Sequence, residues 1–258
     1  MSEMLDYRYV AAKANLSPVK KALLICSGKG GVGKSVLAAS LALAFRERGR
    51  RVGLLDLDIH GPSAPLVLRA EKAELLGGRR GLHPVEASGV KLFSLYYYVG
   101  DRPVPLRGGL KESLLLDILA GVYWGELDYL VIDEPPGTGD ELLVTLRVLG
   151  SKASAVVVTT PSRLSLSVVK RLVGLLRREG VEIVGLVENM SYLEVGGGRV
   201  AIFGESRVDD LGIDLLGRIP IDPRLERALA SGRGVKAAEK YWDAVVKVAE
   251  RIEKKLSR

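Results

Sequence analysis

Apolar residues gather along the chain in short continuous runs instead of alternating with polar ones. Residues 22–27, 52–57, 90–95, 129–133, 155–159 and 183–188 are each dominated by Val, Leu, Ile and Ala. Strands buried on both faces have this unbroken character, so the pattern predicts strands of a parallel sheet. Between most of them, apolar residues fall three and four apart, over 35–48, 111–119, 141–149 and 163–179. Gly49 and Gly180 follow the first and last of these stretches, where a helix-ending glycine belongs. Strands alternating with helices predict an α/β fold, doubly wound, with a mostly parallel sheet and helices on both faces.

The ends of the chain read differently. Residues 1–20 are polar and charged and close at Pro18, which predicts a loosely ordered lead-in. Residues 21–258 read as one domain, long enough for a sizeable core. Residues 61–89 are rich in Gly, Pro and charge and read as an elaborated surface region. Near the C-terminus, Trp242, Val245, Val246, Ala249, Ile252 and Leu256 recur at helical spacing. Glu239, Asp243, Glu250 and Glu253 share the polar face with lysines. A membrane-surface helix favours a basic polar face, so this helix is expected to pack on the domain, and a membrane partner is not expected.

Charge adds little to this picture. The net charge is +7, with only short basic clusters such as Arg79-Arg80 and Lys254-Lys255. Acids and bases are interleaved, so DNA stays open as a partner without being favoured. Cys26 is the sole cysteine, which excludes a disulfide framework. No secretory signal pattern or apolar run of membrane-spanning length occurs, and the cytoplasm is the expected compartment. His60 and His83 lack metal-ligand spacing and read as surface histidines.

The chemistry concentrates in Gly28, Lys29, Gly30, Gly31, Val32, Gly33, Lys34, Ser35 and Val36. A glycine-rich turn between a strand and a helix aims unpaired backbone N–H groups at one spot. The positive end of the helix dipole acts at the same spot, so it attracts phosphate. Lys34 can reach the β- and γ-phosphates, and the Ser35 hydroxyl can ligate Mg²⁺. The glycines also fit G-x-G-x-x-G, with Asp56 placed where a dinucleotide site keeps its ribose-binding acid. Lys34 and Ser35 have no role in that alternative and a definite one in a triphosphate site, so the pattern predicts ATP with Mg²⁺ as cofactors.

Other acids fit around this loop. Asp133 ends an apolar strand, where a phosphate-loop protein keeps an acid for the Mg²⁺ shell. The segment Glu134-Pro135-Pro136-Gly137-Thr138-Gly139-Asp140 is stiff at the prolines and permissive at the glycines, as a γ-phosphate-sensitive switch requires; an ordinary loop capped by Asp140 reads equally from the residues alone. Asp56 and Asp58 end the second strand and point to the same side by alternation, so one of them can orient the attacking water. Lys29 is an extra lysine inside the loop, able to act as a finger in a partner's active site.

Gly28–Ser35 with Lys29 resembles the deviant Walker A loop of the family that includes MinD, ParA and the nitrogenase iron protein. Further runs narrow the resemblance to the Mrp/Nbp35 (ApbC-like) ATPases: Asp56-Leu57-Asp58-Ile59-His60-Gly61-Pro62-Ser63, Trp124-Gly125-Glu126-Leu127-Asp128-Tyr129, residues 133–140, Thr159-Thr160-Pro161 and Glu188-Asn189-Met190-Ser191-Tyr192. The resemblance covers roughly residues 20–235. It implies a slowly hydrolysing, ATP-dependent homodimer that carries or assembles iron–sulfur clusters and works with client or scaffold proteins. It implies Lys29 as the trans-acting lysine and Asp58 as the water-positioning residue, with Ser35, Asp58 and Asp133 around the metal. Asn189 is implied as an adenine contact, and Ile219-Pro220-Ile221-Asp222 resembles the segment flanking the adenine, which brings in Pro220 and Asp222.

One departure bears on function. Carriers of this kind place Cys-x-x-Cys shortly after the Glu-Asn-Met-Ser run, and here Val195 and Gly198 stand at about those positions. Iron–sulfur clusters take four thiolates, and a dimer of this chain has two, both Cys26 and both expected in the core. Cluster binding at the usual place is therefore not expected. The segment 193–199 reads as a hairpin turn before 200–203. The alternative function is a MinD/ParA-like ATP-driven regulatory or partitioning switch that binds a membrane, DNA or a protein partner.

Overall fold

The computed structural model describes residues 6–58, 63–99, 109–204 and 208–257. In chain order the elements begin with α1 (Tyr7–Asn15), β1 (Val19–Ser27), α2 (Lys34–Glu47), β2 (Val52–Asp56) and α3 (Ala64–Leu68). Three short strands follow, β3 (Leu76–Gly78), β4 (Gly81–His83) and β5 (Val85–Ala87), then β6 (Val90–Ser94), α4 (Tyr96–Val99) and α5 (Gly109–Gly121). The second half holds β7 (Leu127–Asp133), α6 (Asp140–Leu149), β8 (Ala153–Thr159), α7 (Arg163–Arg178) and β9 (Glu182–Glu188). It closes with β10 (Leu193–Val195), β11 (Gly198–Val200), β12 (Leu215–Arg218), α8 (Pro223–Ala230) and α9 (Glu239–Leu256).

Eight strands form the main sheet in the order β12-β9-β8-β1-β7-β2-β6-β5. All neighbours run parallel except the β5–β6 pair. The central strands are continuous apolar runs because both faces are covered; every residue of β2 and β8 is buried. Alternation sorts their side chains into two cores. Leu23 and Ile25 of β1 join Leu37, Leu41 and Phe45 of α2 and Val245, Val248 and Ile252 of α9. Ala22, Leu24 and Cys26 join α5, α6 and α7 through Leu115, Leu119, Leu142 and Leu172. This is the doubly wound α/β fold that the run pattern predicts.

The lead-in expectation is corrected over residues 6–20, and residues 1–5 lie outside the described residues. Asp6 caps α1 by accepting a hydrogen bond from the Arg8 backbone N–H at 3.0 Å. Ala12, Leu16 and Val19 are 0, 2 and 1% exposed, and Arg8 reaches Asp117 on α5 at 2.9 Å. The polar composition hid a short helix that buries one narrow stripe. The region 61–89 is also more regular than its composition predicts, with α3, the β3–β4 hairpin and the edge strand β5. At the opposite edge β12 has only four residues, too short for a sequence run to announce. The helix α9 packs inward as expected, with Tyr241, Val245, Val248, Ala249 and Ile252 buried. Among the described residues no helix is long and apolar enough to cross a membrane.

Candidate functional site

β1 ends at Ser27 in the middle of the sheet, between β7 and β8, and the chain turns there through residues 28–33 into α2. Gly31 and Gly33 both take φ +75°, a left-handed conformation that only glycine adopts freely. At Gly33 space demands it as well: a Cβ would lie 2.4 Å from Asn189 Nδ2. The resulting hollow has a volume of about 310 Å³. Lys29 to Val36 line it on one side, with Asp58, Ser63 and Pro136 on the other. An open helix start behind a turn of glycines, at the carboxyl ends of parallel strands, can hold a phosphate chain.

Charge is buried beneath this hollow. Lys34 is 5% exposed and Asp133, at the end of β7, is fully buried. Lys34 Nζ donates to Asp133 Oδ1 at 2.5 Å and lies 3.5 Å from Asp58 Oδ2. Burial pushes the Asp133 carboxyl upward while the Lys34 ammonium and Ser35 hydroxyl pull it down, with burial prevailing. Burial pulls Lys34 down, but Asp133 and Asp58 raise it further, so it stays a cation. Asp133 Oδ2 has no hydrogen-bond partner. That orphaned oxygen, with the Ser35 hydroxyl and the Asp58 carboxylate, is a hard donor set of the kind Mg²⁺ takes. Among the described residues no cluster of three or more His, Cys, Asp and Glu offers an all-protein metal cage.

The paired acids of the second strand part company. β2 stops at Asp56, and the backbone then turns so that the Asp58 N–H donates to Asp56 Oδ1 at 3.2 Å. Asp56 Oδ2 accepts from Ser94 Oγ at 2.8 Å. Burial, and next the nearby Asp133, push Asp56 up to about 8. Of the two, Asp58 alone lines the hollow; the expectation that both point to one side is corrected, because regular strand alternation ends at Asp56. A ribose-binding role for Asp56 fails for the same reason, since it is buried and bonded inward. Glu134, not singled out in the sequence, is 1% exposed with both carboxylate oxygens unpaired, and burial pushes it up to about 8. Its only sequence signal was an acid between the strand-ending Asp133 and two prolines.

Support for the turn comes from just past the end of β9. Asn189 is 5% exposed; its Nδ2 donates to the Val32 carbonyl at 2.8 Å, bracing the glycine turn from the side. Met190 beside it takes φ +52°. Glu188 Oε2 accepts from Ser191 Oγ at 2.8 Å and from Arg218 Nε at 2.9 Å. Pro220 and Asp222 do not border the phosphate hollow; they face a separate depression with Leu193 and Lys240. Asp222 caps α8 and holds Arg224 by two side-chain bonds of 3.0 and 2.9 Å. Lys29 is half-buried on the rim, with no ion-pair partner among the described residues. His60 and its neighbours at 59–62 lie outside the described residues, and His83 packs edge-on to Tyr123 at 6.0 Å between ring centroids.

The segment after the Glu-Asn-Met-Ser run folds as expected into the β10–β11 hairpin, turned by Gly196 and Gly197 at φ +58° and +81°. Val195 and Gly198 are direct partners across the ladder, and Val195 is 56% exposed. Cys26 is 2% exposed, and burial pushes its thiol well above the ordinary range. It is a core residue, not a ready thiolate.

Known proteins resemble this chain in sequence and fold. The ParA profile described as "NUBPL iron-transfer P-loop NTPase" matches residues 18–256. An iron-sulfur cluster carrier protein of Methanocaldococcus jannaschii is 38% identical over 259 residues, spanning 94% of this chain and 89% of that protein. A solved structure of the nucleotide-binding protein of Archaeoglobus fulgidus in complex with ADP is 34% identical, with a TM-score of 0.78 over 91% of this chain and 95% of that one. The cell division ATPase MinD of Pyrococcus furiosus is 24% identical at a TM-score of 0.66, covering 91% of this chain and 99% of that chain, a likeness of fold alone.

Proposed function

Given that the chain belongs to the family of iron-transfer P-loop NTPases that includes iron–sulfur cluster carriers, we propose that it binds and slowly hydrolyses Mg-ATP as a homodimer, and couples that cycle to iron–sulfur cluster assembly. The observation that carries the reading is Lys34, buried at the start of α2 and held by Asp133 and Asp58 beneath a turn of glycines. The turn's amides and the α2 N-terminus cradle the phosphates, and Lys34 exchanges a carboxylate for them. Ser35, Asp58 and Asp133 would hold Mg²⁺, which supplies charge neutralisation at the β- and γ-oxygens. Asp58 lines the same hollow, where it can orient water for in-line attack, with ADP as the leaving group. Lys29, on the rim without an acidic partner, reaches across to the γ-phosphate of a second copy. Asn189 sets the turn and stands near the base, with Pro220 and Asp222 beyond it.

The cluster is handled as cargo and not on this chain's own thiolates. One cysteine per chain gives a dimer two, both buried, where a cluster takes four. A client or scaffold therefore supplies the sulfur ligands, and the working compartment is the cytoplasm. The absent cysteine pair at Val195 and Gly198 also favours a second reading, a MinD/ParA-like switch whose ATP-bound dimer recruits a partner.

Calorimetry and sedimentation test the first reading together. Mg-ATP is expected to bind and to shift monomer to dimer; no nucleotide uptake overturns it. Lys29→Ala is expected to keep nucleotide and lose turnover by roughly 10³-fold, the scale of a missing finger. Anaerobic reconstitution with iron and sulfide is expected to leave the isolated protein without a stoichiometric cluster by visible absorption. A well-formed cluster refutes the cargo assignment while leaving the ATPase reading intact.

A further inference from the structure

We propose that the cleft between α9, the edge strand β12 and the β10–β11 hairpin docks an extended acidic segment of a partner protein. The cleft encloses about 420 Å³, more than the phosphate hollow. Arg199, Arg218, Lys240, Lys247 and Arg251 line it, drawn from all three elements. Glu194 and Asp243 are the acids among them. Counting Glu188 beneath Arg218, five cations face three carboxylates, and a recess with an excess of one sign concentrates the opposite charge.

Lys240 is paired with Glu194, while Arg218 and Lys247 keep donors to offer. Arg218 is anchored through Nε to Glu188, and its two terminal nitrogens make no hydrogen bond among the described residues. The Arg199 guanidinium lies over the Tyr192 ring, 4.4 Å from its centroid, which fixes the cation on the cleft wall. Lys247 is exposed on α9 and has no acidic partner among the described residues. Arginine forks bind carboxylates bidentately, and a lysine adds a point charge. The floor is the last strand of the sheet, so one edge of β12 faces no other strand among the described residues. Arg251 already takes the Leu216 carbonyl there at 2.8 Å. An incoming strand finds backbone groups along this edge and cations for alternate side chains, the geometry of strand addition.

The same charges disfavour a nucleic acid. Glu194 pairs with Lys240 at 2.5 Å and stands 3.8 Å from Arg199; Asp243 is a second acid on the wall. An unbroken row of phosphates would meet both carboxylates, whereas a peptide sets its acids against the cations and neutral groups against Glu194 and Asp243. The cleft shares no lining residue with the phosphate hollow, and Pro220 is its one residue also placed beyond the base, so the proposal is tested without nucleotide.

Fluorescence anisotropy with a labelled peptide alternating Glu and Thr tests it, in the absence of nucleotide. The peptide is expected to bind the full chain, and a matching Lys–Thr peptide is not. Lys247→Glu is expected to weaken binding at least about tenfold, and Lys247→Gln by less. Both substitutions sit on an exposed position, and thermal unfolding verifies their fold. Calorimetric uptake of Mg-ATP by Lys247→Glu is expected to equal that of the unaltered chain. No binding of the acidic peptide, equal binding by Lys247→Glu, or displacement of the peptide by a single-stranded oligonucleotide each overturns the proposal.

Discussion

At the carboxyl ends of β1, β2 and β7 the charges are inside the protein: Lys34, Asp56 and Asp133 are 5, 0 and 0% exposed. Around β12 and the β10–β11 hairpin they stand in water, and the hairpin adds Val195 and Val200, 56 and 52% exposed. The two regions share a sheet and differ in what fixes them. A buried charge is costly unless a partner is in place, so the first region has one workable geometry. The second is set by long, solvated side chains and tolerates change. The lesson is that chemistry here resides where burial removes alternatives, and recognition where they are kept.

The sharpest way to break that contrast is Lys34→Ala. It removes the proposed phosphate ligand and strands Asp133 in the interior. Turnover of Mg-ATP is expected to fall by at least about 10²–10³-fold, with nucleotide uptake lost by calorimetry. Near-normal turnover would mean that the buried cluster is scaffolding alone.

Gly33→Ala comes next. The new Cβ must take φ +75° and displace the Asn189 amide that it meets at 2.4 Å. A loss of about 1–3 kcal/mol is expected in the denaturant midpoint, the cost of one strained residue. Asn189→Ala in the same chain should restore part of it, because the clash is then relieved while the backbone strain stays. Full additivity of the two changes would remove the brace.

The smallest effect is expected at the hairpin. Val195→Ser sits on an exposed strand end and should change stability by no more than about 0.5 kcal/mol, with Mg-ATP affinity the same within error. A large loss in either measurement would show that the exposed region is tied to the buried one, and the contrast would fail.

Legibility in the sequence follows the same division. Residues 28–36 were readable because a glycine turn, a lysine and a hydroxyl act where they are covalently joined. Asp133 was readable because it ends an apolar run. The fates of Asp56 and Asp58 were not, since they depend on where β2 stops: the turn after Asp56 sends one carboxylate to Ser94 and the other to the hollow. The bond from Asn189 to Val32 spans 157 positions and leaves no local mark. α1 escaped because its evidence was one capping aspartate and two buried residues, Ala12 and Leu16, in a polar stretch. β12 escaped because a four-residue strand containing Gly217 is defined by β9 and α9, not by itself.

The lone thiol of Cys26 has a practical corollary. It sits on the sheet's central strand at 2% exposure, so maleimide-type dyes will pass it by while the molecule is intact. Its rate of labelling is then a clock for opening of the whole domain. A cysteine placed anywhere on the exterior would carry the only dye on each chain, leaving distances between two copies open to energy-transfer measurement with no background to subtract.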